Sequence, residues 1–174
     1  TDAPVFVAGG IATGKMAAHL LLMGAAGIQL GTRFAVAKES CAHKKFKEAF
    51  FRANAREAVS TPQFDSRLPV VAVRALRNKG MDEFGQLQFR LVRQLEEGSI
   101  SRHEAQIKVE EFWAGALRRA VMEGDITSGS LMAGQSVGLV KQSQSIQEIF
   151  DELLRDIEDE LRIVKENLLS TRPD

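Results

Sequence analysis

The reading turns on VFVAGGIATG, residues 5–14, taken together with GIQLGTRF, residues 27–34. Each begins as a short apolar run and stops abruptly on glycine. Val5–Ala8 reads as a buried strand closed by Gly9-Gly10, and Ala26–Leu30 as a second one closed by Gly31-Thr32. Between them Thr13 can cap a helix over Gly14–Met23, stopped by Gly24. The result is a β–α–β unit with very short connections.

Strands apolar on both faces belong to parallel sheets covered by helices, and such sheets need more than two members. Only two such runs precede residue 35. The expectation is therefore that the chain is the C-terminal portion of a larger protein, with the other strands upstream.

A strand ending in glycine ahead of a helix turns backbone N–H groups toward the positive end of that helix. Without a Cβ in the way, that backbone can approach an anion closely. Two such loops on neighbouring strands make one composite site, and Thr32 adds a hydroxyl. In (β/α)₈ barrels the phosphate site lies between the loops after strands seven and eight. Val5–Ala8 is then expected to be strand seven and Ala26–Leu30 strand eight.

Beyond residue 35 the apolar period changes from two to 3.6. Lys44–Arg56 and Glu83–Glu97 are expected to be helices, and 70–76 fits strand or helix alike. Ser101 and Glu104 form a capping box opening a helix that runs to Glu123. A loop of small residues follows, SGSLMAGQSVG at 128–138. Ser145 and Glu148 form a second capping box. Ile146, Ile149, Phe150, Leu153, Leu154, Ile157, Leu161, Val164 and Leu168 then line one stripe of a C-terminal helix.

The 174 residues suffice for one sizeable core, and 44% hydrophobic with 26% charged residues is the composition of a water-soluble globular chain. Lys plus Arg equals Asp plus Glu at 23 each, so no global field draws nucleic acid or an anionic membrane. No apolar run approaches the roughly 20 residues that span a bilayer. The first residues lack a signal-peptide layout, and a single Cys41 excludes an intrachain disulfide and a multi-cysteine metal site. A cytoplasmic location and no bound metal are expected.

Four stretches together carry a family resemblance: PVFVAGGIA (4–12), GIQLGTRF (27–34), AKES with Ala42-His43 (37–43), and GDITSGSLMAGQSVGL (124–139). They resemble the superfamily of nitronate monooxygenases (2-nitropropane dioxygenases) and FMN-dependent enoyl-ACP reductases II, over about residues 4–140 and more loosely the last helix. The resemblance implies the C-terminal part of an FMN-binding α/β TIM barrel with a smaller, largely helical domain. It divides the chain into 1–43 at the end of the barrel, 44–127 as the helical domain, and 128–174 as return loop and packing helix.

Carried over residue by residue, it implies that the backbones of Ala8, Gly9, Gly10, Gly31 and Thr32 hold the FMN phosphate, with Gln29 beside them on the last strand. Met132, Ala133, Gly134 and Gln135 resemble a loop returning toward flavin and substrate. The implied reactions are NAD(P)H-dependent reduction of an enoyl thioester, free or carried on an acyl carrier, or oxidation of alkyl nitronates with oxygen; the wording leans to the reductase. Oligomeric state is open, a homodimer included. A non-flavin barrel enzyme for phosphorylated ligands and a non-catalytic half-barrel module stand as alternatives.

The family's catalytic, His-containing segment has no counterpart here, so the catalytic residue is unknown and expected upstream. His19 and His103 read as surface residues and His43 as structural. Cys41 reads as a buried or inert thiol, Lys38-Glu39 as an ion pair or capping device, and Phe112-Trp113 as core. Arg74, Arg77 and Lys79 read as a solvated basic edge.

Overall fold

The computed structural model describes residues 2–170. Thr1 and residues 171–174, at the ends of the first and last expected segments, lie outside them. The chain forms two units, residues 1–40 with 142–174, and residues 41–141. Residues 128–141 thus group with 41–127, and 142–174 with the N-terminal residues.

In the first unit, β1 (Phe6–Ala8), α1 (Gly14–Leu22), β2 (Gly27–Gln29) and the single turn α2 (Thr32–Ala35) follow in order. The strands pair in parallel with Phe6 opposite Gly27 and Ala8 opposite Gln29. Thr13 caps α1 by accepting from Met16 N. The long helix α7 (Ile146–Ser170) packs along α1. That approach is close because α1 turns Gly14, Ala17 and Ala18 inward; a Cβ on Gly14 would lie 2.5 Å from Asp156 Cβ. Ala37, Ile149 and Leu153 form the small core, with Leu30 and Phe34 packed against it.

The two strands are not buried as expected. Phe6 is 65% exposed and Val5 50%. Among the described residues they pair only with each other, and a two-stranded ladder offers no second layer to cover Phe6. The stripe on α7 likewise buries Ile149 and Leu153, while Phe150, Leu154 and Leu168 remain exposed.

In the second unit α3 (Lys44–Arg52) leads to a short 3₁₀ turn (Ala55–Glu57), the antiparallel pair β3 (Ala58–Ser60) and β4 (Arg74–Leu76), α4 (Lys79–Glu96) and α5 (Arg102–Trp113). Leu68, Val70, Phe84, Leu91, Ala105 and Val109 make its core. Phe112 and Trp113 pack against that core and against Phe84, as expected.

Three helix limits differ from the sequence reading, each for a local reason. The helix from Lys44 ends at Arg52 because Asn54 and Glu57 form a capping box of their own. The helix α4 starts four residues early, at Lys79, because Asn78 accepts from Met81 N at 3.0 Å. The helix expected to run to Glu123 stops at Trp113. Gly115 adopts φ +74, and the chain resumes as the short α6 (Ala116–Arg118) and one wide turn, Arg119–Glu123.

Candidate functional site

The parallel register brings the two glycine loops together. Ala8 and Gln29 are partners, so Gly9-Gly10 and Gly31-Thr32 both leave the sheet at the C-terminal ends of adjacent strands. Gly9 and Gly10 take φ +94 and +74, the left-handed region that disfavours any side chain. Gly31 caps α2 at φ −100. A Cβ built on Gly9, Gly10 or Gly31 meets nothing within 4 Å, so these glycines border open space. Ala8, Gly9, Gly10, Gln29 and Gly31 are exposed and Thr32 half-buried.

Sequence reading missed the residue that ties these loops together. Arg33, on α2, is only 7% exposed. Its Nη1 donates to the Ala12 carbonyl at 2.9 Å, bridging from the second loop to the first. Its Nη2 meets Glu152 Oε2 at 2.6 Å and Gln144 Oε1 at 3.0 Å. Gln144 in turn donates to Glu152 at 2.7 Å. The Gln144 amide, and then the charge of Arg33, hold the Glu152 carboxyl below its ordinary range against the opposing effect of burial. A buried guanidinium needs such a fixed carboxylate. The available signal was an Arg inside an otherwise apolar run, GTRFAVA at 31–37.

Lys38 and Glu39 act at the start of α7. Lys38 Nζ bonds Glu148 at 2.8 Å, and Glu39 accepts from Ile146 N at 3.0 Å. Ser145 and Glu148 form the expected capping box. His19 is exposed, as expected, and is also paired. Its Nε2 lies 2.9 Å from Glu160 Oε1, and Lys15 Nζ lies 3.2 Å from Oε2 of the same buried carboxylate.

In the second unit His43 caps α3, accepting from Lys45 N at Nδ1, and its ring sits against Gly124. His103 is exposed. Cys41 is exposed rather than buried. Arg74 donates to the Ala58 carbonyl, while Arg77 pairs with Asp82 and Lys79 with Glu83.

The loop of small residues is more integral than its composition suggests. Asp125 accepts from Thr127 N and Ser128 N, and Asn78 donates to the carbonyls of Ile126 and Gly129. Met132 then bridges to Ala75, extending the β3–β4 pair. Leu131, Ala133 and Val137 are buried, whereas Met132 and Gln135 are exposed and Gly134 is intermediate. Gln135 opens a short 3₁₀ turn, Gln135–Leu139. The six strand-end residues thus belong to the first unit and Met132–Gln135 to the second.

These features define an α/β chain whose two parallel strands end in adjacent glycine loops. The nitronate monooxygenase family model matches residues 1–156, and the chain belongs to that family. It is similar to the solved structure of FabK from Thermotoga maritima, at 31% identity and a TM-score of 0.79, over 96% of this chain and 48% of that one. Among curated relatives it is 24% identical to a probable nitronate monooxygenase of Bacillus subtilis, over 88% of this chain and 40% of the relative. It is also 26% identical to a 5-hydroxy-7a-methyl-1-oxo-octahydro-1H-indene-4-carboxyl-CoA dehydrogenase of Mycobacterium tuberculosis, over 90% of this chain and 50% of that one. The chain spans about half or less of the length of these proteins.

Proposed function

We propose that the chain is the phosphate-holding part of an FMN-dependent oxidoreductase, with β1 and β2 as strands seven and eight of a (β/α)₈ barrel. The observation that carries this reading is the register of Ala8 with Gln29, which puts both glycine loops at one strand edge. The fit to a phosphate is local and physical. Gly9, Gly10 and Gly31 border space that a Cβ would enter, and the backbone there can approach an anion.

In this proposal the backbones of Ala8, Gly9, Gly10, Gly31 and Thr32 hold the phosphate, with Gln29 beside it. Arg33 keeps the two loops in register from behind. Gln135 orients a polar edge of flavin or substrate through its amide, which both donates and accepts. A bound FMN would supply the hydride chemistry between NAD(P)H and the β-carbon of an enoyl thioester. The similarity to FabK supports this reductase assignment. A second reading, oxidation of alkyl nitronates with oxygen, is favoured by the family match over residues 1–156.

The remaining strands and the catalytic residue are assigned to the additional length that the relatives have. The 174-residue chain alone accordingly binds FMN weakly and does not turn over. The natural-length protein, purified and assayed for flavin absorbance, decides the cofactor. NAD(P)H consumption with an enoyl thioester, set against oxygen uptake with an alkyl nitronate, decides the reaction. A colourless protein inactive in both assays contradicts the proposal.

A further inference from the structure

Gly85 lies inside α4, where glycine is a poor helix former, yet the space around it would take an alanine. A Cβ built there meets the Phe64 ring at 3.5 Å and Pro62 Cγ at 3.9 Å, which are ordinary contact distances. Gly80 on the same helix differs, because its Cβ would run into the Ser128 carbonyl. A residue that weakens its own helix without relieving a clash points to a use for the space it leaves.

That space belongs to a cavity of about 380 Å³ between α4 and the segment after β3, walled by Val59, Pro62, Phe64, Met81 and Phe89. The volume falls within the roughly 300–1,000 Å³ of small-molecule sites, which are mostly apolar with a few placed polar groups. Phe64 and Phe89 stack with their ring centroids 4.2 Å apart, yet stay 49% and 59% exposed. The Phe64 wall is held firmly from beneath. Gln88, fully buried on α4, accepts from Phe64 N at 3.2 Å and donates to the Pro62 carbonyl at 2.8 Å. A buried amide thus fixes a phenyl ring that the fold leaves half in water. The charged lining is a single pair, Arg77 and Asp82. Arg77 Nε and Nη2 both donate to Asp82 Oδ1, at 3.2 and 3.1 Å, and Oδ2 keeps its capacity to accept.

We propose that this cavity binds an uncharged, flat aromatic heterocycle carrying a ring N–H, of the indole type. The ring extends the Phe64–Phe89 stack and covers the Met81 side chain. Glycine at position 85 lets it approach the helix backbone. Its N–H donates to the Asp82 carboxylate. Arg77 and Asp82 offset each other, so a full charge on the ligand gains little there. The site lies wholly within residues 41–141 and uses neither the strand-end glycines nor residues 132–135, so it goes beyond the flavin proposal and is tested apart from it.

The probes are indole, 1-methylindole, which lacks the N–H, and cyclohexanol, a saturated ring, each titrated into the protein. The readout is the amide signals of Gly85 and Gln86 in proton–nitrogen correlation spectra. Indole is expected to shift both saturably and cyclohexanol neither. 1-Methylindole should bind about fivefold more weakly than indole, and Asp82→Ala should bring the two to equal affinity. Gly85→Ala is the deciding variant. It should melt at or above the parent temperature, because alanine favours the helix, and should weaken indole by at least about tenfold. Absence of a saturable shift with indole overturns the proposal, as does equal affinity of the parent for indole and 1-methylindole. Indole affinity unchanged in Gly85→Ala overturns it too. So does a lowered melt in that variant, which would assign the glycine to packing beneath Phe64.

Discussion

Arg33 Nη1 donates to the backbone carbonyl of Ala12 at 2.9 Å, so a side chain from the loop after β2 holds the loop after β1. Arg33, fixed by Glu152 and Gln144, makes their separation a property of the fold. Replacing Arg33 with Met removes the partner of the Ala12 carbonyl and the cation of the Glu152 carboxylate, which keeps the Gln144 amide. A loss of about 3 kcal/mol in urea unfolding is expected, with weaker flavin binding in the natural-length protein. Unchanged stability together with unchanged binding would remove Arg33 from this role.

Gly14 marks the tightest approach of α1 to α7. A Cβ there would sit 2.9 Å from Ile157 N and against the Leu153 carbonyl, which is backbone and cannot swing away. Gly14→Ala should therefore destabilise the chain by about 1–3 kcal/mol, as read by chemical unfolding. The adjacent exposed position offers a control: Lys15 is 69% exposed, and Lys15→Ala should change stability far less.

Acid should loosen α7 at its start. The Lys38 ammonium, then the Ser145 backbone N–H and hydroxyl, hold the Glu148 carboxyl down at about 2 instead of its ordinary 4.5. The His19 ring and, less strongly, Lys15 hold Glu160 below its ordinary range as well. A depressed carboxylate pKa stabilises the fold above the unfolded value, and that contribution is lost as pH falls through the folded value. Melting temperature should be level above about pH 5 and fall between roughly 4.5 and 2. Lys38→Met should make the fall shallower, because the Glu148 pKa then returns toward its ordinary value. An acid limb unchanged by Lys38→Met would contradict the assignment.

Gln135 is exposed, so truncating it should cost little stability. In the natural-length protein Gln135→Ala is expected to melt normally, keep flavin, and lose about tenfold in turnover, the effect of one positioned hydrogen bond. Turnover equal to that of the parent returns the residue to an ordinary surface role.

The β–α–β unit was legible because its signals are local: apolar runs, strand-end glycines, and Thr13 as a cap. The capping boxes at Ser101 and Ser145 were legible for the same reason. What escaped depends on partners distant in sequence. Arg33 reads as one charge in an apolar run until Ala12, Gln144 and Glu152 surround it. Glu160 looks like the polar side of α7, yet it is buried beneath Lys15 and His19. Ala114-Gly115 looked like helix interior because glycine's left-handed option is not visible in a 3.6-residue period. The loop 128–138 reads only as a run of small residues, and β4 draws it into the fold through the pairing of Ala75 with Met132.

The most direct test of the phosphate cradle compares FMN with riboflavin, which lacks the phosphate, in the natural-length protein and in Gly31→Val. Gly31 suits this test better than Gly10, whose φ of +74 would strain any side chain regardless of ligand. Gly31 has φ −100 and open space, so a side chain there should alter ligand contact and little else. Fluorescence titration should show the parent binding FMN at least about tenfold more tightly than riboflavin, consistent with charge-assisted bonds to a phosphate. Gly31→Val should abolish that preference while leaving riboflavin affinity and the melting temperature unchanged. Full FMN preference retained in Gly31→Val, or equal affinity of the parent for both flavins, would contradict the account.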